Sequence, residues 1–388
     1  MNSNERTAIA LNLGIPDRVP VYSCTCIQNQ IYEILGKKDK AFSLRLIQEG
    51  MTGELFKLAA PLANRIGWFT REAEKFMSAK TESDIAMGYD CSWAVYSAIF
   101  NFRGNRQATD IWGKLYDLVA DSDGNVDTPM YRQGLLTTPD LWKAWHHPDP
   151  DMMYKRLYRV FADLQKRYGE RIYLFGGLFS GMWESISQVM GLTAFSVTLR
   201  RDPNFVRQMI KYYETIWLAT LHAAADAGMP AFVYEDDLAY KTGPMISPRV
   251  LDDFFGPSLR RITAEAHKRG MKIIIHSCGN VNLLLDLFAD WGFDGVQSLE
   301  PTAGMDLAVV KKQVGKRMCI FGNMDISHVL SEGTQEEVEA AVKSMLQAAA
   351  LDGGFIMGMT NSHNAVKVEN TRWMIEYTHR YGAYPITH

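Results

Sequence analysis

His276 and Cys278 stand two residues apart in IIIHSCGN (273–280), where a run of β-branched residues gives way to Gly-Asn. An imidazole and a thiolate together suit zinc by ligand softness, and three protein ligands would leave a fourth position for substrate. The spacing alone is a weak signal. Metal sites more often carry two close cysteines with a second pair downstream, and a lone cysteine is usually a small buried hydrophobe. Cys24 and Cys26 form a competing pair at the end of another apolar run, although burial explains both more simply. Further polar groups follow other apolar runs: Glu235, Asp236 and Asp237; Gln297 and Glu300; Asn323 and Asp325; Asn361, His363 and Asn364. The acidic triplet could supply another ligand or a general acid. Its plain alternative is an acidic loop leading into a helix.

These groups need a frame that gathers strand ends. RIYLFGG (171–177), PAFVYEDD (230–237), MKIIIHSCG (271–279), FDGVQSLE (293–300), RMCIFGN (317–323) and GGFIMGM (353–359) read as strands. VPVYSC (19–24) adds a seventh, and the stretch around 94–101 an eighth. Amphipathic segments with recognisable caps lie between them. Ser247-Pro248 opens a helix toward Arg269, Thr334 with Glu337 forms a capping box, and Asn280 is placed to cap VNLLLDLFADW. Strand–helix alternation predicts a parallel sheet, and eight strands predict a closed (β/α)8 TIM barrel, whose chemistry gathers at the C-terminal strand ends. The alternation points to one domain over 1–388, with 30–165 as a mostly helical N-terminal insertion over one barrel mouth. An open doubly wound sheet is the alternative, but no GxGxxG follows the first strand.

With 388 residues, 47% hydrophobic and 22% charged, the chain can bury a large core. A net charge of −3 offers no basic field for a phosphate backbone, which excludes nucleic acid as an expected partner. No apolar run approaches the ~20 residues that span a bilayer. The start MNSNERTAIALNLG lacks the pattern of a signal peptide, and five scattered cysteines suit a reducing compartment, so a cytoplasmic location is expected. Aromatic residues make up 11% of the chain; among them Trp93, Trp183 and Tyr240 are candidates for contact with an apolar substrate ring.

ALNLGIPDRVPVY (10–22), EDDLAYKTGPMISPRVLDDFFGP (235–257), HSCGN (276–280), GNMD (322–325) and GGFIMGMTNSHNAVKVEN (353–370) occur in this order. Together they resemble the uroporphyrinogen decarboxylase superfamily, and within it the cobamide-dependent methyltransferase branch. The resemblance runs from about residue 5 to about residue 380 and implies the barrel already read from the strands. Two departures narrow what it implies. The N-terminal stretch VYSCTCIQNQIYEIL holds no arginine, whereas porphyrinogen decarboxylases carry an arginine-rich segment there that grips propionates. Where thiol-methylating relatives complete their zinc site with a cysteine, this chain reads Thr360-Asn361-Ser362-His363.

By this resemblance His276, Cys278 and His363 would hold Zn2+, with Asn361 beside the substrate. One thiolate against a divalent cation leaves a net +1 centre, better at polarising an oxygen than at holding a thiolate nucleophile. The expected activity is therefore demethylation of a small methoxylated, aromatic substrate. The methyl group would pass to the Co(I) cobamide of a partner corrinoid protein, with a carboxylate of Glu235, Asp236 or Asp237 as fourth ligand or acid. Methylcobamide:thiol methyl transfer, porphyrinogen decarboxylation and a non-catalytic corrinoid-binding barrel are the alternatives. Assembly as a homodimer is compatible with all of them.

Overall fold

The computed structural model describes residues 1–24, 28–36, 68–96, 100–104, 107–120, 126–361 and 365–387. Its strands, in chain order, are β1 (Tyr22–Ser23), β2 (Cys91–Tyr96), β3 (Phe100–Gly104), β4 (Gln107–Asp110), β5 (Lys114–Ala120) and β6 (Val126–Gly134). They continue with β7 (Tyr173–Leu178), β8 (Ala231–Glu235), β9 (Ala239–Tyr240), β10 (Gly243–Pro244), β11 (Lys272–Ser277), β12 (Gly295–Ser298), β13 (Cys319–Met324) and β14 (Phe355–Met359). Eight of them pair in the order β1-β2-β7-β8-β11-β12-β13-β14, every neighbour parallel. A parallel bridge between Val21 and Met357, with the Met357 N–H donating to Pro20 O at 2.9 Å, closes β14 back onto β1. The result is the expected (β/α)8 barrel. Strands β7, β8, β12, β13 and β14 are buried along their whole length, because side chains fill the lumen on one face and helices cover the other.

Local chemistry sets the helix ends. Thr334 and Glu337 form the expected capping box, and Ser247 caps a helix with Pro248 in its first turn. That helix stops at Phe254, and a second runs from Gly256 to Lys268. Pro257, which has no N–H for the ladder, sits where a single helix was expected to continue. Asn280 does not cap the next helix, Leu285–Asp290; it folds its own turn, donating to Ala303 O at 3.0 Å and accepting from the Asn282 N–H at 3.3 Å.

The stretch 30–165, expected to be mostly helical, holds strands as well as the helices Trp68–Met87, Pro139–Ala144 and Pro150–Tyr168 among its described residues. Residues 91–96 are a barrel strand, and β3–β6 form a four-stranded antiparallel sheet in sequential order. One aspartate builds its central turn: Asp110 Oδ1 accepts from the N–H groups of Trp112, Gly113 and Lys114 at 3.0, 2.9 and 2.8 Å, reversing the chain between β4 and β5. Trp112, in the turn between β4 and β5, is buried against Tyr213, with ring centroids 5.5 Å apart. The sheet docks on the helix Met182–Met190 that follows β7. The Tyr131 hydroxyl donates to Gln188 O at 2.8 Å and the Leu136 N–H to Val189 O at 2.9 Å.

Candidate metal centre and cleft

Register brings the first chemical groups together. β11 lies between β8 and β12, and His276 is level with Glu235 on one side and Gln297 on the other. Level residues on adjacent strands share a face, so all three belong to one end of the lumen. Gln297 is fully buried, and its amide nitrogen donates to Tyr22 Oη (2.7 Å), Thr360 O (2.9 Å) and Met359 O (3.2 Å). Its oxygen can therefore only accept, and it meets His276 Nδ1. That contact places the imidazole hydrogen on Nδ1 and leaves the Nε2 lone pair open, as a metal-ligating histidine requires.

Nε2 looks toward Cys278 and Asp237. Cys278 Sγ lies 3.5 Å from it, and Asp237 Oδ1 lies 3.7 Å away. Asp237 Oδ1 also accepts the Cys278 backbone N–H at 2.8 Å, which ties the carboxylate to the backbone that carries the thiol. Donor atoms of Asp237, His276 and Cys278 all fall within 4.8 Å of one another. The Asn361 amide donates to Cys278 Sγ at 3.1 Å, and the Ser298 hydroxyl lies 3.8 Å from it. Burial, and then the nearby Asp237 and Glu300 carboxylates, push the Cys278 thiol well above its ordinary range. A bound cation would have to displace its proton. The glycine of HSCGN has a steric reason. Gly279 has φ +85°, and a Cβ there would sit 2.8 Å from the Ala239 and Tyr240 backbone, which approaches so that Asn280 N–H can donate to Tyr240 O at 2.9 Å.

Imidazole, thiolate and carboxylate converging from β8 and β11 form a donor set that fits Zn2+. His363 and Cys26, two of the sequence-derived ligand candidates, lie outside the described residues. Cys24 is a core residue, with Sγ 3.9 Å from Met359 O.

The acidic triplet divides its tasks. Asp237 joins the metal centre. Asp236 turns the other way and accepts from the N–H groups of Glu184 (2.8 Å) and Trp183 (3.0 Å) and from Tyr234 Oη (3.0 Å). It thus caps the helix Met182–Met190, which has no side-chain cap of its own. Its burial pushes the carboxyl up to about 8, against the pull of those donors. Glu235 is buried in the lumen beside His276, and burial raises it to about 7.

A cleft of about 390 Å³ opens over the centre, lined by Trp183, Glu184, Asp237, Tyr240, Cys278 and Glu300 among others. Trp183 is a fixed wall, packed edge-on against Phe195 with centroids 5.2 Å apart, and Tyr240, 63% exposed, stands at the rim. Trp93 is not in the cleft wall. It lies edge-on to His276 at 6.0 Å and stacked on Tyr22 at 5.9 Å, against the imidazole. Sequence reasoning gave no role to Tyr22 or Glu184, and none beyond a polar strand end to Gln297.

The uroporphyrinogen decarboxylase (URO-D) family profile matches residues 122–381, well over half of the chain, and the chain belongs to that family. Within it the chain is 25% identical over 191 residues to the methylcobamide:CoM methyltransferase MtaA of Methanosarcina barkeri, covering 49% of this chain and 52% of that protein. It is 23% identical over 246 residues to the uroporphyrinogen decarboxylase of Mannheimia succiniciproducens, covering 60% and 66%. The chain thus spans about half the length of the first of these relatives. A solved methyltransferase from Methanosarcina mazei shares the fold over 98% of this chain and 99% of its own, with a TM-score of 0.66 at 17% identity. No described helix is long and apolar enough to cross a membrane.

Proposed function

We propose that the chain is a zinc-dependent methyltransferase that takes the methyl group from a small methoxylated substrate and gives it to the Co(I) cobamide of a partner corrinoid protein. The observation that carries this reading is the convergence of His276 Nε2, Cys278 Sγ and Asp237 Oδ1 at the floor of an aromatic-walled cleft. Zn2+ held by these residues, with His363 as a further proposed ligand, would supply Lewis acidity to a substrate oxygen. The chain's own residues do the rest. Gln297 fixes the imidazole, Asn361 orients the sulfur, Asp237 holds the Cys278 backbone N–H, and Trp183 with Tyr240 receives the ring. Asp236 supports the wall that carries Trp183.

The carboxylate changes the charge argument drawn from sequence. Two anionic donors, Cys278 and Asp237, neutralise a divalent cation, whereas His276, Cys278 and His363 leave +1. A neutral centre polarises an oxygen less, so departure of an alkoxide needs a proton donor as well. The same neutrality suits a thiol acceptor, and with the similarity to methylcobamide:CoM methyltransferases it supports a second reading, methyl transfer to a thiol. Porphyrinogen decarboxylation fits less well, because a polycarboxylate would face Glu184, Asp237 and Glu300.

Metal analysis of the purified protein against Cys278→Ala and Asp237→Ala tests the centre, with zinc lost in both variants as the expected result. Mixing with Co(I) corrinoid protein and methoxyarenes should then produce the methyl-Co(III) spectrum. Demethylation of methyl-Co(III) by added thiol, with no reaction of methoxyarenes, would select the second reading. Unchanged zinc in both variants refutes the centre.

A further inference from the structure

We infer, resting on the methyl-transfer reading above, that Glu184 is the general acid of the cleft, protonating the oxygen that leaves when the methyl group is taken. Glu184 lies in the first turn of the helix Met182–Met190 and shares the cleft wall with Asp237 and Cys278. One of its oxygens is held: Oε1 accepts from Gln188 Nε2 at 2.8 Å. The Gln188 oxygen in turn accepts from Lys114 Nζ at 3.2 Å. Lys114 comes from β5 of the docked sheet and is fully buried, where it also donates to Ser180 Oγ at 2.9 Å and faces Asp110 Oδ2 at 3.7 Å. Among the described residues Oε2 of Glu184 has no hydrogen-bond partner, which leaves it for a ligand. Neither member of the acidic triplet next to the centre can replace it, since Asp236 is taken up by the helix end and Glu235 is not part of the cleft wall.

The groups that act on Glu184 are Lys114 and Tyr116 from β5, Tyr234, Glu235, Asp236 and Asp237 from β8 and the loop after it, and His276 from β11. Burial and then Asp237 raise its carboxyl, Lys114, Gln188 and His276 lower it, and the balance is upward. A proton is therefore held closer to neutral pH than on an exposed glutamate. In the step, the cobalt electron pair forms the cobalt–carbon bond and the CH3–O bond breaks with its pair on oxygen. The Glu184 proton passes to that oxygen, so a neutral alcohol or phenol leaves. The carboxylate that remains faces Lys114 through Gln188 and regains a proton from water through the open cleft. Lys114 and Gln188 are positioning residues, and Glu184 is the group that touches the leaving atom.

Glu184→Gln keeps the size and the contact with Gln188 and removes the proton. Methyl transfer from a series of methoxyarenes should fall by about 10²–10⁴ for the most basic leaving phenolates, and the deficit should shrink as phenol pKa falls. A second readout needs no turnover: infrared difference spectra of the metal-free protein should show protonated-carboxyl bands, of which Glu184→Gln removes one while those of the buried Glu235 and Asp236 remain. Lys114→Met, or Gln188→Leu if the former does not fold, should move the titration of that band to higher pH. An equal loss for every leaving group, or a set of carboxyl bands left unchanged by Glu184→Gln, overturns the assignment. If the wild type methylates the corrinoid protein and only the leaving-group dependence is missing, Glu184 falls and the methyl-transfer reading stands. If the wild type methylates nothing, that reading falls, while the infrared titration still decides whether Glu184 holds the proton.

Discussion

Gln297→Leu removes the one residue that tells His276 which nitrogen to protonate. Leucine fits the volume and leaves two groups without partners: the His276 Nδ1–H and Thr360 O, which has no other partner among the described residues. Met359 O keeps the Tyr22 hydroxyl. Two buried orphans at about 1–3 kcal/mol each predict a loss of about 2–6 kcal/mol in stability. The released imidazole can also place its hydrogen on Nε2, and loss of such an outer partner lowers metal affinity about 10–100-fold. Gln297→Glu separates the two effects. An ionised carboxylate still accepts from Nδ1–H, so zinc affinity should be kept, while its oxygens face the Met359 and Thr360 carbonyls and stability should fall. The assay is zinc competition against a chromophoric chelator at fixed pH, with thermal melts of each metal-free variant. Zinc affinity of Gln297→Leu within threefold of the native protein, or loss of affinity in Gln297→Glu alone, would refute the tautomer argument.

Two further outcomes follow from local geometry. Gly279→Ala should cost at least ~2 kcal/mol in a urea titration and lower zinc occupancy, because a β-carbon at φ +85° is strained and meets the backbone of residues 239 and 240. Burial, then Arg18 and Arg6, depresses the His379 pKa to about 4, so between roughly pH 6.5 and 4 the unfolded chain binds more protons than the folded one. Stability should therefore fall on acidification through that window, by at most ~1.4 kcal/mol per pH unit, and His379→Gln should flatten the slope. A slope unchanged by the substitution would show that other groups set it.

The parallel sheet was legible because strands buried on both faces leave apolar runs such as KIIIHS and FIMGM, and the count of eight with no GxGxxG after the first strand pointed to the barrel. His276 and Cys278 were legible because polar residues ending such runs have to sit at the rim. The sheet β3–β6 was not, since one aspartate side chain creates its turn and an aspartate among tryptophans carries no periodic signal. The fates of Asp236 and Asp237 are also invisible in EDD, as adjacent residues leaving a strand point to opposite sides. Glu184 reads in sequence as an ordinary acid in a helix's first turn, favoured there by the helix dipole. Its second meaning exists only once Lys114, 70 residues earlier, is folded beneath the same helix.

The ring of strands has one thin stave. β1 is two residues long, and its hold on β14 is a single bridge helped by the Tyr22 phenol, which reaches Met359 O at 2.5 Å across the seam. Gly358 leaves room for that ring; a Cβ there would lie 2.4 Å from it. The same phenol receives the Gln297 amide, so the hoop that shuts the barrel and the peg that aligns the imidazole are one side chain. Loosening at this joint and loss of the bound ion are accordingly a single event: amide exchange at Met357 should slow when the centre is filled and quicken when it is emptied.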